Sequence, residues 1–352
     1  MSHALRHLLK QSCIVSSQLK SLQLVSNRHI HRYVMPTLKI LKIKQDKEGF
    51  FRRDPPKPPA HRNTYLDWNY DAEIYSFGKR LGEDLKKDVL QQALLHRSYV
   101  LQEVDRQKEV GIEDPESSMP DNTEMIEEGE KLMSTFIFAY LCAAYPKVPE
   151  EGIRTIHDYL MTDETLAHVS STIGTTELIM CREHPVEKET LAKTLKALVA
   201  CVHQSSSLSR AHLFVRDFVL PQLVGKDVSS IWWIDNPHEV LKTILKNEGK
   251  PDPEPRLIGD SAKNTIFANY RVGLYINKEF LSSGSGETIE TAHELATHDA
   301  LRRFFGITES DRAFPFDLNV DSIDMSSKNL SIKDWNSKDV KVQTVERIAS
   351  SG

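Results

Sequence analysis

The sequence predicts an α+β protein built from two domains. It has 352 residues, and single domains hold roughly 100–200 residues, so two domains plus extensions are expected. Residues 76–233 place apolar side chains mainly at helical spacing, whereas residues 236–306 follow the order helix, strands, helix. No apolar run approaches the ~20 residues that a membrane-spanning helix needs. The composition, 39% hydrophobic and 27% charged, is typical of a soluble globular protein.

Residues 1–35 have the composition of a mitochondrial transit peptide. The first 45 residues contain eight Lys or Arg and no Asp or Glu, and serines recur among them. Leu5, Leu8 and Leu9 share one helical face, while Arg6 and Lys10 share another. A basic, Ser-rich, acid-free and amphipathic start predicts import into mitochondria. The alternative is a basic arm that is never cleaved.

A basic, proline-containing extension follows over residues 36–75. Its cationic candidates for RNA contact are Lys39, Lys42, Lys44, Arg52, Arg53 and Lys57. Four prolines, Pro55, Pro56, Pro58 and Pro59, favour an extended chain that builds no core. Two interpretations remain open, an arm that threads between RNA helices and a plain spacer. The whole chain carries −5 and its first 45 residues carry +8, so the remainder carries −13. Such an acidic body does not bind RNA indiscriminately, because attraction to phosphate supplies most non-specific affinity.

The central helix of the first domain carries a recognisable pattern. Residues 124–133 read E-M-I-E-E-G-E-K-L-M, and an apolar stretch continues the helix to about residue 144. This pattern resembles the ribonuclease III signature, R-L-E-F-L-G-D-A-V-L, with Gly129 setting the register. The resemblance places the family's first catalytic carboxylate at Ile126 and its aspartate at Glu130. The acid-rich residues 103–130 that lead into the helix are predicted to form a solvated loop.

Three further segments carry the same resemblance. Leu90-Gln-Gln-Ala-Leu-Leu-His96-Arg-Ser98 is similar to the family's opening motif, L-x-x-A-L-T-H-x-S. Helices are predicted over about 186–204 and 208–223, and the second of them is similar to the closing A-x-x-F-I pattern. In the first of them, Lys193 and Lys196 stand where the family has the two acids of D-x-x-E-A-L-I-G-A. His96 and Ser98 are expected to hold the first helix near the signature helix.

The resemblance implies magnesium-assisted cleavage of duplex RNA, but the residues argue against it. Magnesium needs hard oxygen ligands in near-octahedral array, and of four expected carboxylates only Glu130 remains. Two lysines at the site would repel a cation by about 4 kcal/mol per unit-charge pair at ~4 Å and an effective dielectric of 20. We therefore expect no catalytic residue, no metal and no cofactor, which describes a pseudoenzyme.

Other acids could in principle rebuild the metal site. Glu124 and Glu128 have the i, i+4 spacing, but that register puts Glu127 where the family needs glycine. Glu187 and Glu189 precede Lys193 by one to two turns, which displaces them along the helix axis. These glutamates are better explained as a solvated helix start.

The second domain, residues 236–306, combines a helix, strands and a small-residue helix. Asn236-Pro237 opens the first helix, because proline suits the first turn. Tyr270, Val272, Leu274 and Ile276 alternate as in a half-buried strand. With the Gly284-x-Gly286-x-Thr288 turn and a following helix rich in alanine, this order resembles the α-β-β-β-α double-stranded RNA-binding domain. The family's phosphate grip, K-K-x-A-K, is replaced here by Ile289, Glu290 and His293, so either weak RNA binding or a protein-contact surface is implied.

The remaining features are the C-terminal residues and the cysteines. Residues 307–352 are polar with one tryptophan, Trp335, and are expected to order only against a partner. Cys13, Cys142, Cys181 and Cys201 show neither close pairing nor zinc-site spacing, so free thiols are expected.

The combination of these parts resembles one family of mitochondrial large-subunit ribosomal proteins. The resemblance implies a structural component of the mitochondrial ribosome, in the matrix, contacting ribosomal RNA and neighbouring large-subunit proteins. Lys193 and Lys196 then become candidate phosphate contacts or plain solvent-exposed lysines. Met125, Ile126 and Met133 are either a seam for pairing with another ribonuclease III-like domain or ordinary core. The alternatives are an active mitochondrial double-stranded RNA endonuclease that uses Glu130 and a transient ribosome assembly factor.

Overall fold

The computed structural model describes residues 37–44, 68–111, 119–263, 265–308 and 314–340. The chain divides into two units, Met1–Ala60 and His61–Gly352. In the first unit the described residues form one short helix over 37–44, which carries Lys39, Lys42 and Lys44 on an exposed surface. The predicted transit peptide and the candidates Arg52, Arg53 and Lys57 lie outside the described residues. All elements named below belong to the second unit.

The first part of this unit is all-helical, as predicted. Its first helix begins before the predicted boundary at residue 76. Nine α-helices and one 3₁₀ turn follow one another among the described residues: α1 Tyr70–Leu81, α2 Lys87–Leu94, α3 Arg97–Glu109, α4 Thr123–Ala144, α5 Glu150–Met161, α6 Asp163–Ile173, α7 Lys188–Ser205, α8 Leu208–Phe218, the 3₁₀ turn Leu220–Leu223 and α9 Val228–Ile231.

Helices α4 and α7 form the centre of the helical part, and a glycine allows their close approach. A β-carbon added at Gly129 of α4 would lie 1.8 Å from the carbonyl oxygen of Lys196 on α7. No side chain fits there, so the two backbones touch at this point. Around the contact, Met133 and Phe136 of α4 are fully buried, as is Leu195 of α7. The glycine of the signature pattern is therefore a packing requirement.

The structure decides one of the alternatives left open by the sequence. Met125 and Met133 are 2% and 0% exposed, so both belong to the core and neither is available to a pairing seam. Ile126 is partly buried and packs against the same core.

The expected loop over residues 103–130 is partly helical, which corrects the prediction. Helix α3 continues to Glu109, and the signature helix starts only at Thr123. No residue of α3 is buried, so its sequence lacks the apolar stripe that signals an amphipathic helix.

The second part confirms the predicted α-β-β-β-α order. Helix α10 (Pro237–Asn247) precedes strands β1 (Glu254–Ser261), β2 (Asn269–Ile276) and β3 (Glu279–Gly286), and α11 (Ile289–Phe305) follows. The sheet is antiparallel with the order β1-β2-β3.

Glycine also sets the packing of this sheet against its helix. A β-carbon at Gly284 would lie 2.2 Å from the amide nitrogen of Ala296 on α11. One at Gly286 would lie 2.5 Å from Oγ1 of Thr291. The buried hydroxyl of Ser282 donates to the carbonyl of Ala296 at 2.7 Å. The Gly-x-Gly pattern thus lets β3 lie directly on α11.

Residues 314–340 form a strap that packs on both parts of the unit. Trp335 is 1% exposed, with its ring 5.5 Å from that of Phe305 at the end of α11. Its Nε1 donates to the carbonyl of Lys147 in the α4–α5 loop at 2.8 Å, and the Nδ2 of Asn329 donates to the carbonyl of Val148 at 2.7 Å. The expectation that this region orders only against a partner is wrong for these residues, because the chain itself supplies the packing surface.

None of the described helices has the length and apolar character needed to cross a membrane.

We predict that Gly129→Ala destabilises the protein by at least about 3 kcal/mol, because the new methyl group must force α4 and α7 apart. The free energy of unfolding, measured by urea denaturation, checks this. Gly259→Ala is the matched control, since a β-carbon there meets nothing within 4 Å. Equal stability of the two variants would contradict the backbone contact.

Trp335→Ala should cost about 3–5 kcal/mol, the usual range for removing a buried aromatic side chain. Trp233→Ala should cost less than about 1 kcal/mol, because Trp233 is 58% exposed. Thermal and urea denaturation of both variants measure the difference. A similar loss in both would show that the strap does not hold the fold together.

Candidate functional site

The metal positions predicted from the sequence lie where α4 and α7 meet. Because Gly129 sets the contact, Glu130 of α4 faces Lys196 of α7. The Nζ of Lys196 donates to Oε1 of Glu130 at 3.0 Å. The Lys196 side chain is 12% exposed and that of Glu130 is 51% exposed. The remaining carboxylate of the predicted site is therefore neutralised by one of the two predicted lysines.

Lys193 is bound differently from Lys196. Its Nζ lies 2.6 Å from Oε1 of Glu189, one turn earlier on α7. The hydrogen bond from Lys193 and its charge lower the pKa of the Glu189 carboxyl. With 42% of its side chain exposed, Lys193 forms an ordinary surface ion pair and is open to solvent.

The other acids around α4 do not assemble a metal site. Glu128 accepts a hydrogen bond at 2.7 Å from Nε2 of Gln204 near the end of α7. Ile126 packs against the core and offers no oxygen. Among the described residues, no group of three or more His, Cys, Asp or Glu could hold a metal ion. The residues present do not fit the magnesium ion that the ribonuclease III resemblance implies.

The opening motif holds the segment before α7, whereas the sequence predicted that it holds the first helix near the signature helix. Nδ1 of His96 lies 2.8 Å from Oγ of Ser98, and that hydroxyl oxygen accepts from the amide of Arg182 at 3.2 Å. The His96 amide donates to the carbonyl of Met180 at 3.0 Å. His96 and Ser98 therefore hold the segment before α7. Burial lowers the pKa of His96, and the positive charge of Lys193 lowers it further.

The link from the opening motif to the signature helix is made by Asn122, which sequence reasoning missed. The Asn122 side chain is fully buried, and its Nδ2 donates to the carbonyl of Ala93 at 3.2 Å. Its amide donates to the carbonyl of Leu95 at 3.2 Å. An asparagine directly before a helix is a common N-cap signal, but here its side chain reaches another helix.

The start of α11 lacks the cations of an RNA-binding helix. Ile289 is 53% exposed, and the acidic Glu290 follows it. The ring of His293 lies 4.2 Å from that of His238 on α10. Burial lowers the pKa of His293, and the charges of His238 and Lys242 lower it further. This surface therefore offers an apolar side chain, an acid and a neutral imidazole near pH 7.

Two family models match the chain. The model described as "Large ribosomal subunit protein mL44, endonuclease domain" matches residues 69–202. The model described as "MRPL44 dsRNA-binding domain" matches residues 232–336. Together the two matches span more than half of the chain.

The chain is also similar to individual proteins. The chain is 31% identical to large ribosomal subunit protein mL44 of Caenorhabditis elegans, over 73% of this chain and 65% of that protein. It is 25% identical to Ribonuclease 3 of Homo sapiens, over 50% of this chain and 13% of that protein. The nuclease domain of Ribonuclease III from Campylobacter jejuni matches 44% of this chain and 97% of its own, with 15% identity and a TM-score of 0.36. The match thus spans less than two thirds of the C. elegans protein and a small part of human Ribonuclease 3.

Lys193→Gln should raise the pKa of His96, because it removes a positive charge that disfavours protonation of the imidazole. The pKa should stay below its ordinary value, since burial is the larger cause. An NMR titration of histidine-labelled protein measures it. Lys188→Gln is the control, because Lys188 binds Glu164 at 2.9 Å and does not contribute to the His96 shift. An unmoved His96 pKa in Lys193→Gln would show that the two side chains do not interact.

Proposed function

Because the chain belongs to the family of large ribosomal subunit protein mL44, we propose that it is a structural component of the large subunit of the mitochondrial ribosome. It acts there as a ribonuclease III-like scaffold that contacts ribosomal RNA and neighbouring large-subunit proteins. The observation that carries the proposal is the ion pair between Lys196 and Glu130 at the position of the family's metal site.

This ion pair supports a pseudoenzyme. Cleavage of RNA by this fold needs metal ions to activate water and to stabilise charge on the phosphate. Here an ammonium group already neutralises Glu130, and a magnesium ion would have to displace it and tolerate its charge nearby. Lys193 adds a second positive charge on the same helix. Without four oxygen ligands, the remaining carboxylate binds no catalytic metal.

RNA contact is proposed mainly through the basic residues before the helical part. The charge of −13 beyond residue 45 repels phosphate in general, so the cations of the arm are the natural contacts. The exposure of Lys39, Lys42 and Lys44 supports this role, and Arg52, Arg53 and Lys57 complete the same arm. Of the two lysines on α7, Lys193 is the better candidate because it is the more exposed.

The location and the protein partners follow from the same proposal. The basic N-terminal segment supports import into the mitochondrial matrix. Another ribonuclease III-like domain is also proposed as a partner. The apolar side chains available for pairing near the start of α4 are Met119, which is 48% exposed, and the partly buried Ile126.

A high-salt sucrose gradient of mitochondrial lysate tests the structural role. We expect the protein to migrate with the large subunit in near-stoichiometric amount, because a built-in component stays bound when salt screens weak electrostatic contacts. Recovery mainly at the top of the gradient would contradict the proposal and favour a transient assembly factor.

A cleavage assay tests the alternative that the protein is an active endonuclease. Purified protein is incubated with duplex RNA and magnesium, and Glu130→Gln is run beside it. No cleavage is expected from either protein. Magnesium-dependent cleavage that Glu130→Gln abolishes would establish an enzyme.

A further inference from the structure

A second site lies beside the opening motif, away from the Glu130–Lys196 pair. It is a cavity of about 300 Å³ between the start of α1, the start of α3 and the segment before α7. Three aromatic side chains, Trp68, Tyr70 and Tyr99, contribute to its walls. Two carboxylates, Glu177 and Glu183, also line it. Neither the ribonuclease III pattern nor the proposed ribosomal role uses these residues.

Two side-chain hydrogen bonds to main-chain carbonyls and one parallel bridge fix the walls of this cavity. The Tyr70 hydroxyl donates to the carbonyl of Leu178 at 3.2 Å, and burial raises the pKa of Tyr70. Leu95 and Met180 form a parallel bridge between the two chain segments. The Cys181 thiol donates to the carbonyl of Glu183 at 3.1 Å. The cavity is therefore set by the same bonds that hold the opening motif against residues 180–182.

The lining selects a cationic ligand. Aromatic rings attract a cation through their negative faces, and the attraction grows as the cation loses water. Glu177 and Glu183 add negative charge, and the described residues that line the cavity include no Lys or Arg. A phosphate-bearing ligand meets these two carboxylates. Stacking of an RNA base against the rings would bring its phosphates into this acidic surface.

We propose that this cavity binds the arginine side chain of a basic segment of a partner protein. A guanidinium group stacks on aromatic faces, holds water weakly and donates to carboxylates in a planar fork. The volume is at the lower end of the range for ligand sites, which suits one long side chain. Tyr99 stacks on the guanidinium and Glu183 accepts its hydrogen bonds. This proposal does not depend on the ribosomal role, because a basic segment of any partner protein can supply the arginine.

A peptide titration of the full-length protein tests this site. The probe is acetyl-Gly-Arg-Gly-amide, and its neutral control is the same peptide with citrulline in place of arginine. The signal is the NMR shift of the Met180 methyl group, because Met180 lines the cavity. We expect saturable binding of the arginine peptide, about tenfold tighter than the citrulline peptide, since one charge-assisted contact contributes roughly that factor.

Variants separate the cavity from the rest of the surface. Tyr99→Ala and Glu183→Gln should each weaken the arginine peptide severalfold, and Tyr99→Phe should retain binding because it keeps the ring. Tyr75→Ala and Glu187→Gln are the matched controls, because neither residue lines the cavity. Unchanged shifts of the other methionine methyl groups show that each variant is folded.

Three results would overturn the assignment. The first is equal binding of the arginine and citrulline peptides, and the second is no saturable shift at Met180. The third is a Met180 shift caused by a single-stranded RNA oligonucleotide instead of the peptide, which would assign the cavity to RNA bases. None of them bears on the gradient experiment, so this proposal and the ribosomal role fail separately.

Discussion

The close contact between the backbones of α4 and α7 determines which side chains face each other at the predicted metal site. A glycine at position 129 brings the two helices so close that a single methyl group would overlap the Lys196 carbonyl. At that separation, the side chain at position 130 must face the one at position 196. The two helices thus bring together positions at which the sequence predicts a lost metal site. The chemistry possible at this site then depends on the charges of the side chains at positions 130 and 196.

The ammonium group of Lys196 lies beside Glu130, where the ribonuclease III resemblance predicts a metal ion. The Lys196 nitrogen lies 3.0 Å from Glu130, so it compensates the carboxylate as a metal would. Unlike a divalent ion, it needs no further carboxylates, and Ile126 can then pack against the core. The lysine keeps the two helices electrostatically matched but cannot activate water, because a protonated amine has no open coordination position.

Features that depend on a short stretch of sequence could be predicted, whereas features that depend on contacts between distant residues could not. Short stretches of sequence contain the pattern of the signature helix, the alternation in β2 and the glycine register. Helix α3 gave no signal because none of its side chains is buried. The roles of Asn122 and Trp335 depend on partners far along the chain, at Ala93 and Lys147. The pairing of Lys196 with Glu130 also needed the structure, because the two residues lie on different helices. For Lys193, both Glu187 and Glu189 were near in sequence, and the structure shows the pairing with Glu189.

Three close contacts hold the described elements of this unit in place. Gly129, Gly284 and Trp335 fix three separate junctions: α4 on α7, β3 on α11, and the strap on both parts. Trp232 also packs on Phe305, with ring centroids 5.5 Å apart, so the two parts share one core. The helical part therefore packs around α4 and α7 with an ion pair between Lys196 and Glu130 at the position where the sequence predicts a lost metal site.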